Sequence, residues 1–184
     1  PDAFTAPPST TTPLIGTYTM GTTAGNEGGI LADYATFNEA IADLILIGVS
    51  GPVVFEVQPG TYNEYFAITP VPGASASNTV TFQSQSGVPS SVNVYHAAAG
   101  PGDNYVAHLN GADYVRLRNM TLASNSVANS SYATVVLFTG GVEGARIEGN
   151  AITGTSTGGS GAAQTLVYGD NALYNSRIIS GNTF

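Results

Sequence analysis

The sequence predicts an all-β fold, a parallel β-helix (solenoid) of stacked coils closed at its first end by an amphipathic capping helix. Three observations carry this. A one-sided helix at about 36–47 runs straight into an apolar strand and a Pro-Gly turn. A series of short β-branched segments follows, each bounded by Gly, Asn, Ser or Pro. The second half repeats itself about every 30 residues. At 184 residues, 42% hydrophobic and 9% charged, the chain can bury one sizeable core. The expected division is an extended Pro/Thr-rich tail at 1–15 and a single domain at 16–184.

In the tail, Pro1, Pro7, Pro8 and Pro13 surround Ser9-Thr-Thr-Thr12. That composition favours extended chain and cannot fold alone, so the tail is expected to lie along its own domain or along another subunit. In the helix, Phe37, Ile41, Leu44 and Ile45 fall on one stripe. Thr36 and Glu39 fit a capping box, and Gly48 supplies the left-handed stop.

Strands are expected at 53–57, 65–69, 79–83, 92–95, 105–109, 114–117, 134–138, 145–147, 165–168 and 177–179. The repeat aligns Leu117-Arg-Asn-Met-Thr-Leu122 with Ile147-Glu-Gly-Asn-Ala-Ile152 and Ile179-Ser-Gly-Asn-Thr-Phe184, at spacings of 30 and 32. A single coil cannot bury its own inner face, whereas strands about 4.8 Å apart give a continuous inward column.

Charge narrows the partners. There is no Lys, and Arg116, Arg118, Arg146 and Arg177 face 12 acids, for a formal charge of -8. Such a surface repels phosphate backbones, so nucleic acid is excluded as a partner. Without Cys there is neither a disulfide framework nor a thiolate metal site. His96 and His108 lack acids at ligand spacing, and no metal or cofactor is expected. The longest apolar run, around Leu44 to Ile47, is too short for the ~20 residues of a membrane span. Abundant Thr, Ser, Gly and Asn point to export, to an extracellular or cell-surface setting. A start at Pro1 fits either a removed signal peptide or a trimmed chain.

The helix Thr36-Phe-Asn-Glu-Ala-Ile41, the strand Val53 to Val57 and the turn Pro59-Gly-Thr-Tyr-Asn-Glu64 resemble the opening of right-handed parallel β-helix proteins of the pectin-lyase-like superfamily. Gly149-Asn-Ala-Ile152 and Gly181-Asn-Thr-Phe184 resemble their rung turns. The resemblance covers about residues 30–184. It implies the fold and a right-handed coil, while the superfamily holds both polysaccharide enzymes and non-catalytic bacterial surface proteins.

The enzyme motifs of that superfamily are missing. There are no adjacent acids for a polygalacturonase-like paired-acid site, no His between glycines and no Arg-Ile-Lys, since Arg146-Ile147 leads to Glu148. The two-aspartate pattern of pectin methylesterases is not found either. A pectate-lyase-like site needs acids converging on Ca²⁺ and a base. Here Arg116, Arg146 and Arg177 are 30 and 31 apart, and Asp113 and Glu143 each stand three residues before an Arg. The expectation is an outer ladder in which those acids pair with those bases.

Asp103-Asn104 and Asp170-Asn171 read as turns. Asn119-Met-Thr121 and Asn129-Ser-Ser131 match the N-glycan acceptor pattern. Of the ten tyrosines, Tyr62, Tyr65 and Tyr114, with Arg116 and Arg146, are the candidate contacts for a carbohydrate or a partner.

The chain stops just past a rung turn, so either it continues or another copy covers the last layer. Two functions follow. One is a non-catalytic module of a cell-surface adhesin or self-assembling fibre, associating head to tail or through the tail. The other is a polysaccharide-binding or polysaccharide-degrading protein.

Overall fold

The computed structural model describes residues 12–21, 32–126, 132–154, 165–170 and 176–184. In chain order these form β1 (Leu14–Met20), α1 (Phe37–Ile47), β2 (Val49–Val57), β3 (Gly60–Asn63) and β4 (Phe66–Ile68). Next come β5 (Val80–Ser84), β6 (Val92–His96), β7 (Ala107–Asn110), β8 (Val115–Arg118) and β9 (Thr121–Ser124). The last are β10 (Val136–Thr139), β11 (Arg146–Glu148), β12 (Ala151–Thr153), β13 (Val167–Gly169) and β14 (Ile178–Ser180).

The strands make three parallel sheets, ordered β1-β2-β5-β8-β11-β14, β3-β6-β9-β12 and β4-β7-β10-β13. From β2 onward the chain visits the first, second and third sheets in strict rotation. The fold is therefore all-β and parallel, with its sheets stacked around one core.

Register explains the core. In the first sheet Tyr18, Phe55, Phe82, Leu117, Ile147 and Ile179 stand in one inward column. Tyr62, Val94, Leu122 and Ile152 do the same in the second. The Phe55 and Phe82 rings stack with centroids 4.7 Å apart. Alternation along each strand places every second side chain inside, and in-register stacking lines those side chains up.

Between the first and second sheets the chain turns on a left-handed residue, Asn119 (φ 53), Gly149 (φ 65) or Gly181 (φ 64). The next residue closes the corner. Asn150 is fully buried, and its Oδ1 accepts from the Met120 N–H at 3.0 Å. Its Nδ2 donates to the Leu117 carbonyl at 2.8 Å, and its own N–H donates to Asn182 Oδ1 at 2.9 Å. Asn182 repeats the motif, donating to the Ile147 carbonyl at 2.8 Å. Corner polar groups that no strand can satisfy thus find side-chain partners in the neighbouring layer.

The helix α1 lids the first layer. Thr36 Oγ1 accepts from the Glu39 N–H, Glu39 reaches back to the Ala35 N–H, and the Gly48 N–H (φ 71) closes on Leu44 O. Phe37 lies flat on Phe66, with centroids 4.8 Å apart and planes at 3°, and meets Tyr62 edge on. Burying one such ring is worth about 1.5–3 kcal/mol. Ile45, expected on the buried stripe, is 38% exposed, and Ala40 fills its place.

Glu64, just after β3, ties the helix N-terminus down by accepting from the Phe37 N–H at 3.3 Å and the Asn38 amide at 3.1 Å. Burial pushes its carboxyl above the ordinary 4.5, and the hydrogen bonds from Phe37 and Asn38 only partly oppose this. The folded chain then holds that proton more tightly than the unfolded one. Stability from this group is fully present below the unfolded value and is lost as pH rises through the folded value. Denaturant unfolding of the native chain and Glu64→Gln, at several pH values across the carboxylate range, should show the native chain losing ground to the variant as pH rises.

Four strands were not foreseen. β3, β9 and β12 each follow a first-sheet strand after a very short corner, so each pair reads as one segment in the sequence. β1 takes Leu14 and Ile15 from the segment assigned to the tail, because its backbone pairs in parallel with β2. Residues 1–11 of that tail lie outside the described residues.

Candidate functional site

The outer face of the first sheet carries two columns in register. One runs Thr17, Val54, Thr81, Arg116, Arg146, Ile178 and the other Thr19, Glu56, Gln83, Arg118, Glu148, Ser180. Three of the four arginines of this acidic chain therefore share one face. Glu148 serves two of them, with Oε2 at 3.4 Å from Arg118 Nε and Oε1 at 3.3 Å from Arg146 Nη1. Both arginines are about two-fifths exposed, so these pairs are worth little to stability, about 0–1 kcal/mol each.

The expected ladder of Asp113 and Glu143 with the arginines does not form in that way. Tyr114 (φ 56) and Gly144 (φ 62) turn the chain just after each acid, which leaves the carboxylates on the corner and off the sheet face. Asp113 Oδ1 accepts from the Glu143 N–H at 2.7 Å. The Glu143 carboxylate accepts from the Tyr114 hydroxyl, and that bond raises the phenol pKa. Arg177 leaves the ladder as well, since the longer last repeat sets Ile178 opposite Arg146. Its guanidinium lies 5.0 Å from the centre of the Phe138 ring.

A cavity of about 280 Å³ opens at this corner, lined in part by Tyr114, Arg116, Glu143, Arg146 and Ser176. Three of the five sequence-selected contact residues, Tyr114, Arg116 and Arg146, thus meet in one place. Tyr62 does not join them. Alternation in β3 turns it inward, where it is 3% exposed, donates to the Gln58 carbonyl at 2.8 Å and is pushed by burial to about 12.

Tyr65 sits elsewhere, 40% exposed, in a row of rings at the edge of the second and third sheets. Its centroid is 4.3 Å from His96 and 5.5 Å from Tyr105, and Tyr105 lies 4.8 Å from His108. His96 Nε2 is 3.0 Å from Asp103 Oδ2. The Ala99 N–H, with lesser help from Gly100 and His96, holds the Asp103 carboxyl below its ordinary value. His108 pairs with Thr139 Oγ1 at 2.7 Å, and burial lowers its pKa. This row escaped sequence reasoning, although Tyr65 and His96 stand about one repeat apart, as do His108 and Thr139.

Among the described residues, no group of three or more His, Cys, Asp or Glu gathers to hold a metal ion. Asp103 acts as a turn residue, while Asn104 bonds across layers to Thr134 through its Oδ1 and Nδ2. Asn119 of the glycan pattern occupies a left-handed corner. Asn129, Asn171 and Tyr174 lie outside the described residues. No helix of the described residues is long and apolar enough to cross a membrane.

The carboxylates share a pattern. Asp33 accepts from the Thr19 N–H, Glu39 from Ala35, Glu64 from Phe37, Asp113 from Glu143 and Asp170 from Gly140. Each is engaged in holding backbone together, not in a converging pair suited to acid-base chemistry. No protein-family model matches this chain, and neither a curated protein nor a solved structure is significantly similar to it.

Proposed function

We propose that the chain is a right-handed parallel β-helix of the pectin-lyase-like type, serving as a non-catalytic module of an extracellular or cell-surface adhesin or self-assembling fibre. The engagement of acid after acid with backbone N–H groups carries this reading, because it spends on architecture the groups a hydrolase or lyase would need free. Composition supports the setting: a Lys-free, Cys-free chain rich in Thr, Ser, Gly and Asn. Self-association is supported by where large apolar side chains reach the surface. Ile15, Ile45 and Leu46 do so at the first end of the stack. Light scattering and negative-stain electron microscopy across a concentration series should show end-to-end oligomers or fibres. A monodisperse monomer throughout would remove assembly from the proposal.

The alternative, a polysaccharide-binding or polysaccharide-degrading protein, is favoured by the corner where Tyr114, Arg116 and Arg146 meet. A screen of acidic polysaccharides for binding and for new reducing or unsaturated ends separates the two readings. Turnover lost in Arg146→Ala or Asp113→Ala would overturn the structural one.

A further inference from the structure

We infer that the first end of the stack docks a basic amphipathic helix of another chain, seated on the outer face of α1. This rests on the module reading, in which that end is an interface, and names its occupant, a different chain where self-association would place a second copy. The first observation is the second face of the lid. The stripe of Phe37, Ala40, Ile41 and Leu44 is buried on the first layer. Away from it, Asn38, Ala42, Ile45 and Leu46 are exposed at a spacing of i, i+4, i+7 and i+8, the period of another helical face. That face carries no charge, and Leu46, at 79%, is the most exposed large apolar side chain among the described residues. Ile15 extends the surface onto β1, where the Leu14 N–H donates to the Gly48 carbonyl at the end of the helix. The small Ala42 lets a partner helix approach closely.

The second observation is where the charge lies. No Lys or Arg precedes Arg116, and beyond residue 110 Asp113, Glu143, Glu148 and Asp170 match the four arginines in number. The formal charge of -8 therefore belongs to the chain before them. Asp33, Glu39 and Asp43 bring part of it to the lid, with Asp43 one turn before Leu46. The neutral N–H and O–H groups that these acids accept from orient them without cancelling their charge. Tyr34 registers it, since burial first, then Asp43 and Asp33, push its phenol above the ordinary value. β8, with Arg116 and Arg118, stands three strands from β1. At sheet spacing that is about 14 Å, beyond the ~8 Å Debye length of physiological salt. The first end is thus an apolar face in an unopposed negative field, which a basic chain complements. A second copy does not, because its arginines are matched by its own acids and its first end brings the same sign. Addition of an extended strand is closed off too. The register of β1 shifts between Leu14 and Gly16, and at its outer edge Thr19 gives its N–H to Asp33 and accepts from the Tyr34 N–H. A helix on the lid is what the surface fits.

The probe is an amphipathic Lys/Leu peptide of about 18 residues, long enough to be helical in water, beside its Glu/Leu counterpart and a scrambled Lys/Leu peptide of the same composition. Each is titrated into the ¹⁵N-labelled chain, whose self-association is followed separately by light scattering without peptide. The expected result is saturable amide shifts centred on α1 and β1 with the ordered Lys/Leu peptide alone, at an affinity that falls steeply as salt is raised. Leu46→Gln, at an exposed position, should bind about tenfold more weakly with an otherwise unchanged spectrum. Asp43→Asn, which keeps an acceptor for the Tyr34 hydroxyl, should weaken binding and flatten its salt dependence. Equal binding of the Glu/Leu or the scrambled peptide would overturn the inference, as would shifts centred elsewhere or none at all. Oligomers that form without peptide and vanish in Leu46→Gln would give this end to a second copy, overturning the inference while the assembly reading stands. A monomer that binds the ordered peptide does the reverse. Binding that arises only once residues 1–11 are removed would make that segment the occupant and overturn the inference as well.

Discussion

Replacing Asn150 with alanine is expected to lower the unfolding free energy by about 2–4 kcal/mol, because two buried backbone groups lose their partner at once. The Leu117 carbonyl and the Met120 N–H both depend on this side chain, at 2.8 and 3.0 Å, and the side chain is wholly enclosed. Water has no route to replace it. Asn150→Asp should be at least as damaging, since it keeps an acceptor for Met120 but sets a carboxylate against the Leu117 carbonyl. Asn182→Ala, at a half-buried position, should cost less, about 1 kcal/mol. Urea unfolding of the three variants measures the order, and an Asn150→Ala loss no larger than that of Asn182→Ala would contradict it.

Phe82→Ala is expected to cost about 3–5 kcal/mol, the range for emptying a large aromatic site that cannot collapse. Phe82 is fully buried, and its ring meets Phe55 at 4.7 Å, Phe37 at 5.6 Å and Phe66 at 6.3 Å. It joins the inner column to the lid, so its loss should loosen α1 first. Hydrogen exchange should show the amides of α1 opening at lower free energy than those of β8 and β11 in this variant. Arg118→Ala, at a partly exposed rim pair, should stay within about 0.5 kcal/mol of the native chain.

These two residues show what the sequence can and cannot tell. Phe82 was legible as part of an apolar strand, and so were α1 and its caps, because period and capping chemistry agree there. Asn150 was visible as a recurring letter of the repeat, but its task was hidden, since it depends on which backbone groups the corner leaves unpaired. β9 and β12 were concealed for the same reason: one left-handed residue, Asn119 or Gly149, divides what looks like a single segment.

For the site, the spacing of 30 between Arg116 and Arg146 gave their register correctly, as Cα partners of β8 and β11. Side-chain direction was not legible. Tyr114 and Gly144 rotate the chain between acid and base, which takes Asp113 and Glu143 off the sheet face, and the pleat of β3 turns Tyr62 inward. A repeat fixes which residues are neighbours across layers; corners and pleats decide which way they point.

The central claim is that successive layers lie parallel and in register. The chain has no cysteine, so one introduced pair reports cleanly. Gln83 and Arg118 face outward as direct partners on β5 and β8, and adjacent in-register strands hold Cα atoms within the ~4.4–6.8 Å a disulfide needs. Gln83→Cys with Arg118→Cys should oxidise to an intramolecular bridge without loss of stability, while Gln83→Cys with Arg116→Cys should close poorly. Equal closure of both pairs, or preference for the offset one, would contradict the register on which the inner column, the asparagine corner and the arginine face all depend.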